Sequence, residues 1–226
     1  MQRHSVEKII FSSSANVYGP NHASPISESA RPLNPTNPYG RSKLMIENIL
    51  TDVAAANPKL QVVLLRYFNP IGAHPSGLLG EQGSSTPTNI FPLLLRAASG
   101  RLPHVSVFGT DYRTRDGSCE RDFIHVLDLA DGHVAAIFNI NSPGVYEINL
   151  GTGKASSVLQ LIGCVEQASG RKLKIEVEPR RRADLQSVYA NPQRAKEIMG
   201  WVATRSIDEA CADGWKWEQA NVEGLK

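Results

Sequence analysis

Sulfur chemistry has little to work with in this chain of 226 residues, which holds only three cysteines, Cys119, Cys164 and Cys211. They stand far apart with no Cys-x-x-Cys pair, so a disulfide framework or thiolate metal site is not expected; reduced thiols in the cytoplasm are. Long apolar runs are missing too. No stretch approaches the ~20 residues that cross a bilayer, and the opening Met1-Gln2-Arg3-His4-Ser5-Val6-Glu7-Lys8 lacks the apolar segment of an export signal. Neither charge sign dominates: 24 basic against 22 acidic residues leave a net +2, which gives no electrostatic reason to expect nucleic acid or an anionic membrane as partner. Repeats and low-complexity segments do not occur. What is there is ordinary globular material, 41% hydrophobic and 20% charged, enough for a sizeable core.

Along the chain, short apolar β-branched runs alternate with helical patterns. Strands are expected at 8–12, 61–65, 105–108, 123–126, 145–150 and 173–177. Helices are expected at 38–55, 89–99, 126–140 and 157–169, the last closed by Gly170, with a mostly helical tail from Pro192. Asn37 followed by Pro38 is a helix-start signal, an N-cap residue with proline at the first helical position. The Pro-, Asn- and Ser-rich stretch 19–38 reads as a long functional loop, and the Gly/Pro/Ser-rich 72–88 as a crossing into a second lobe. Strands alternating with helices predict an α/β fold with a parallel sheet.

Tyr39 and Lys43 are four apart on the expected helix, so their side chains lie on one face. An ammonium beside a phenol stabilises phenolate, and such a tyrosine can act as a general base. Ser14 ends the first expected strand, at the sheet edge where α/β proteins bind ligands. There it could bond the hydroxyl that Tyr39 deprotonates, or simply cap a turn. His125 and His133 have no thiolate pattern near them, so no metal site is expected. Gly151-Thr152-Gly153 is too short to carry a dinucleotide loop by itself.

Ser14, Tyr39 and Lys43, in that order, resemble the catalytic triad of the extended short-chain dehydrogenase/reductases. The blocks Phe11 to Gly19, Pro38 to Lys43, Leu65 to Pro70, Gly72 to Gly77, Arg121 to Val126 and Asn149 to Gly153 resemble motifs of the UDP-galactose 4-epimerases within that superfamily. The resemblance implies NAD as cofactor, a UDP-sugar as substrate, and interconversion of UDP-glucose and UDP-galactose through transient oxidation at C4. It implies that Tyr39, Lys43, Ser12, Ser13, Tyr67 and Phe68 flank NAD. On the substrate side it implies Ser14, Asn69, Asn89, Phe108 beside the uracil, Arg121 and Arg181 on phosphate oxygens, and Asp184 on ribose hydroxyls. Val188 falls at the family position beside the sugar's 2-substituent, where a small residue implies that N-acetylated UDP-sugars are also accepted. A cytoplasmic homodimer, when complete, is the family's expected form. Nucleotide-sugar 4,6-dehydratases are disfavoured, because Ala15-Asn16 stand where they place an Asp-Glu pair.

The family's members open on a strand and a glycine-rich turn, whereas this chain opens on a strand already bearing polar groups. The expectation is therefore an N-terminally truncated member: the remainder of a Rossmann-type sheet lacking its first strands, over 1–72, plus a smaller α/β substrate-binding lobe over 73–226 from which some elements return. A truncated chain of this kind could be inactive alone and serve as a UDP-sugar-binding or subunit-pairing module. Arg182 and Ala183, where the family often reads Glu-Gly, and Ser118-Cys119-Glu120 depart from the family pattern.

Overall fold

The computed structural model describes residues 1–82, 87–181 and 184–221, so Arg182 and Ala183 lie outside the described residues. In chain order the elements are β1 (Lys8–Ser14), α1 (Pro38–Ala56), β2 (Gln61–Tyr67), β3 (Asn69–Ile71), α2 (Ile90–Ala98), β4 (Val105–Phe108), β5 (Glu120–Arg121) and β6 (Phe123–His125). Then follow α3 (Val126–Asn139), β7 (Gly144–Leu150), β8 (Ser156–Ser157), α4 (Val158–Ser169), β9 (Ile175–Glu178), β10 (Ser187–Val188), α5 (Gln193–Met199) and α6 (Ile207–Ala220). No helix among the described residues is long and apolar enough to cross a membrane. The chain divides into two compact units. The first comprises Met1–Phe68, Leu129–Lys154 and Val188–Ala203; the second comprises Asn69–Asp128, Ala155–Ser187 and Thr204–Lys226.

Unit 1 is built on a parallel sheet in the order β1-β2-β7. In β2 every residue from Val62 to Arg66 is buried, as expected of a central strand covered on both faces. Register places Ser12, Ser13 and Ser14 beside Leu65, Arg66 and Tyr67, so the polar ends of β1 and β2 share one sheet edge. Helix α1 starts where the sequence says it should: the Asn37 side chain accepts from the Gly40 amide at 2.7 Å, with Pro38 at the first turn. Such a cap contributes about 1 kcal/mol. On its inner face Leu50 and Ala54 pack on the cluster of Leu60, Val62 and Leu64 with Ile9 and Phe11. A second cluster, Val17, Tyr18, Ile26, Phe68 and Ala190, lies under the chain that follows β1.

This sheet corrects the expected fold class. The reading of a Rossmann-type remainder without its first strands took polar groups at the end of 8–14 as the mark of a late strand. In the structure β1 opens a regular parallel sheet and is paired along its whole length, from Lys8 with Gln61 to Ser14 with Tyr67.

Unit 2 has a larger apolar core, in which Phe91, Leu94, Leu161, Ile162, Val165, Cys211 and Trp215 join α2, α4 and α6 to the short strands. Two parallel pairs, β3 with β6 and β4 with β9, and the antiparallel β5 with β8 frame it. Helix α4 is capped by Ser157, which accepts from the Gln160 amide, and closed by left-handed Gly170. Helix α6 starts on a reciprocal capping box between Ser206 and Glu209.

Candidate functional site

The first candidate site lies in unit 1, at the carboxyl edge of β1 and β2. Lys43, one turn past Tyr39 on α1, donates from Nζ to the Ser12 carbonyl at 2.8 Å. Its ammonium stands 5.4 Å from the Tyr39 ring centroid and 5.1 Å from that of Phe11. Tyr39 is 53% exposed, an unusual setting for an aromatic residue and a suitable one for a group that must meet a ligand. The Tyr67 phenol is 2.7 Å from Ser12 Oγ on one side and contacts His133 Nε2 on the other. Burial raises the Tyr67 phenol above its ordinary value, the Ser12 bond opposes this, and the charge of Tyr39 adds to the rise.

Ser13 and Ser14 have different fates. Ser14 Oγ accepts from the Asn16 amide at 3.2 Å and from Asn16 Nδ2 at 3.1 Å, capping the 3-10 turn Ala15–Val17. Both bonds use its lone pairs, not its hydrogen. Ser13 is fully buried and donates to Glu47 Oε1 at 2.5 Å, so its hydroxyl belongs to the core. Phe68 is buried in the cluster with Val17 and Tyr18, and Val188 packs half-buried on that same cluster.

Behind this edge runs a buried ionic network that the sequence did not reveal. The Arg66 guanidinium, wholly inaccessible, donates from Nε and Nη2 to the two Glu47 oxygens at 3.0 and 2.6 Å, from Nη2 also to Glu147 at 2.8 Å, and from Nη1 to the Tyr18 hydroxyl at 3.1 Å. Burial by itself would lower the Arg66 pKa, but the Glu47 hydrogen bonds and the charges of Tyr18, Glu47 and Glu147 raise it above the usual range. Tyr18 in turn donates to Asn149 Oδ1 at 2.7 Å, and burial pushes its phenol up to about 12. Glu47 lies four residues past Lys43, so the helix face that presents Tyr39 and Lys43 continues into this anchor. In sequence Glu47 reads as an ordinary polar position of a surface helix.

The second candidate site is a cavity of about 410 Å³ lying wholly within unit 2, a volume within the range of small-molecule pockets. Six residues singled out in the sequence line it together: Asn69, Asn89, Phe108, Arg121, Arg181 and Asp184. They come from β3, the start of α2, the end of β4, β5 and the segment after β9, so only the fold brings them together. Asn89 stands at the N-cap of α2 without spending its side chain on the cap. Arg121 donates to the Glu120 and Leu185 carbonyls at 2.8 Å each and reaches Asp184 at 3.4 Å. The Arg181 guanidinium lies 3.7 Å from the Phe108 ring centroid, a cation–π stack. Val105, Val107, Leu93 and Val158 supply apolar wall, and the Cys119 thiol, raised by burial, borders the same space. Arg180 is held apart from this group, on Asp111 and over the Tyr112 ring. Apolar walls beside two guanidinium groups and a carboxylate suit an aromatic base carrying a sugar and anionic groups.

The comparisons with known proteins fit this arrangement. The chain is 47% identical over 226 residues to the UDP-glucose 4-epimerase of Dictyostelium discoideum, covering 99% of this chain and 65% of that protein. With the UDP-glucose 4-epimerase of Bacillus subtilis it is 48% identical, covering 100% of this chain and 67% of that one. Among solved structures, the UDP-glucose 4-epimerase of Bifidobacterium longum in complex with NAD+ and UDP superposes with a TM-score of 0.93 at 48% identity, over 100% of this chain and 67% of that one. The UDP-Glc/GlcNAc 4-epimerase of Campylobacter jejuni gives 0.83 at 33%, over 97% of this chain and 66% of that one. The chain thus spans about 65% of the length of the first of these curated relatives. The expectation of an N-terminally truncated member is corrected here as well, because the family model already matches at residue 1, on the segment that leads into β1. That model, for the NAD dependent epimerase/dehydratase family, matches residues 1–151, and the chain belongs to this family.

Proposed function

We propose that this chain interconverts UDP-glucose and UDP-galactose by transient oxidation at the sugar's C4. The observation that carries the reading is the convergence of Asn69, Asn89, Phe108, Arg121, Arg181 and Asp184 on one cavity. Its relatives bear the name UDP-glucose 4-epimerase, and one is solved with NAD+ and UDP. In unit 2 the uracil lies against Phe108, Arg121 and Arg181 take the diphosphate oxygens, the two Asn side chains add hydrogen bonds, and Asp184 accepts from ribose hydroxyls.

In unit 1 the exposed Tyr39 takes the proton of the sugar 4-hydroxyl. Ser14, whose hydrogen is not used in its bonds to Asn16, donates to the developing 4-keto oxygen. Lys43, steadied on the Ser12 carbonyl, keeps positive charge beside the phenol. The cofactor the family name calls for fits here: exposed Ser12 and Tyr39 and half-buried Tyr67, with the Lys43 ammonium, stand at the carboxyl edge of parallel strands, the usual dinucleotide side of such sheets. NAD, when bound, supplies the hydride acceptor and returns the hydride. Proton transfer, orientation and anchoring fall to the residues named.

Calorimetry with UDP tests the nucleotide site. Wild-type chain binds UDP, and Arg181→Ala weakens it about ten- to a hundredfold, the value of a charge-assisted contact. Unchanged affinity in that variant removes Arg181 and the cavity from the nucleotide site.

A further inference from the structure

Arg180 and Arg181 are neighbours in sequence, yet each stacks on a different ring of the same stretch of chain. The Arg181 guanidinium stands 3.7 Å from the Phe108 ring centroid, and that of Arg180 stands 4.1 Å from the Tyr112 ring centroid. Both rings and both cations belong to unit 2. Strands β4 and β9 pair as far as Phe108 beside Glu178, and the Gly109 amide closes the ladder by donating to the Glu178 carbonyl at 2.8 Å. The chain then passes through Pro179, which has no N–H to extend such a ladder. Residues 178–181 are all exposed.

Arg180 ties this exposed segment down. Its Nε donates to Asp111 Oδ1 at 2.7 Å, and its Nη2 donates to the Asp111 backbone carbonyl. Its aliphatic stem lies against Gly109: a Cβ there would stand 2.6 Å from Arg180 Cγ and 2.7 Å from Tyr112 Cε2. The Tyr112 ring is buried in the unit 2 core with Phe123 and Val158, and its backbone amide donates to the Gly117 carbonyl at 2.9 Å. The platform under Arg180 is therefore fixed, although Arg180 itself is exposed. A lone exposed ion pair is worth little. Here a two-pronged hydrogen bond and a cation–π stack act on one side chain.

We propose that Arg180 is a positioning residue: by gripping Asp111 and Tyr112 it fixes the backbone from which Arg181 reaches over Phe108, and so presents the Arg181 guanidinium to the anionic groups of a nucleotide. The inference rests on reading the unit 2 cavity as the nucleotide site, and assigns Arg180 no contact with the ligand.

Two measurements on the full chain test it. The first needs no ligand. A side chain held over Phe108 has proton resonances displaced by the ring current, and Arg180→Gln should return those of Arg181 toward the values of an unstructured arginine. Calorimetry with UDP is the second. Arg180→Gln should weaken binding about three- to tenfold, the worth of an exposed ion pair and a cation–π contact together. Arg180→Lys, which can still reach Asp111 and Tyr112, should recover most of the loss. In an Arg181→Ala background Arg180→Gln should cost nothing further, as action through Arg181 requires. Three results overturn the proposal: Arg181 resonances unmoved by Arg180→Gln, equal losses in the Gln and Lys variants, or a full additional loss beside Arg181→Ala, which would make Arg180 a ligand contact itself. UDP affinity unchanged in Arg181→Ala would count against the nucleotide reading alone, since the spectra decide by themselves whether Arg180 positions Arg181.

Discussion

Asp116 stands in the loop before β5, where its Oδ1 accepts from the Ser118 amide and hydroxyl at 3.0 and 2.8 Å and its Oδ2 accepts from Ser157, the residue that caps α4. Partial burial alone would raise this carboxyl, but the hydrogen bonds from Ser157 and Ser118 hold it below its ordinary value of 3.8. A carboxyl with a depressed folded-state pKa contributes stability that is fully present above its unfolded value and is lost as pH falls through the folded one. Acid titration of thermal stability should therefore show a component lost below about pH 4 that Asp116→Asn removes. An identical profile in the variant would show that the cap draws nothing from this charge. Single residues differed in how much the sequence said of them. Tyr39 and Lys43 were legible because four residues on a helix always face the same way. Ser13 and Ser14 were adjacent and chemically alike, and only strand pleat decides that Ser13 turns to Glu47 while Ser14 turns to Asn16. His133 was legible only as a histidine without a metal pattern, because its side-chain partner Tyr67 is far from it in sequence.

At the scale of elements, the bond between Glu47 and Arg66 decides where α1 sits on β1 and β2. Both groups are buried, so removing one leaves the other's charge unpaired. Glu47→Leu should cost about 3–5 kcal/mol, read as a shift in the urea midpoint. The double variant Glu47→Leu, Arg66→Met should regain most of it, because well-packed apolar replacements of buried pairs are often neutral. A double variant as unstable as the single one would mean that Arg66's other partners, Tyr18 and Glu147, carry the anchor. Helix α1 itself was readable to within one residue, from Asn37-Pro38 at its start. The strand Asn69–Ile71 was not: read as the tail of a motif, it pairs with Phe123–His125, a partner that no local pattern announces.

For the whole molecule, alternation of strands and helices sufficed to predict an α/β fold with a parallel sheet. It did not suffice to say which strand opens the sheet, since a paired first strand and a late one carry the same apolar residues. The division into units follows the chain's returns at 129–154 and 188–203, which are long-range events without a local signature. Unit 1 leaves an apolar stripe on α1 exposed, Met45, Ile49 and Val53 at successive turns. We propose that the expected homodimer forms on this stripe; sedimentation should show a dimer that Ile49→Glu converts to monomer, and a wild-type monomer would remove it. The central claim, that these side chains serve epimerisation at C4, meets its most direct test in proton NMR of UDP-galactose incubated with the full chain and NAD. UDP-glucose signals should grow toward a fixed ratio, and Tyr39→Phe should slow their appearance by about 10²–10⁴-fold, the value of a general base, without weakening UDP binding. UDP-galactose left unchanged by a chain that binds UDP, or undiminished turnover in Tyr39→Phe, would contradict the account.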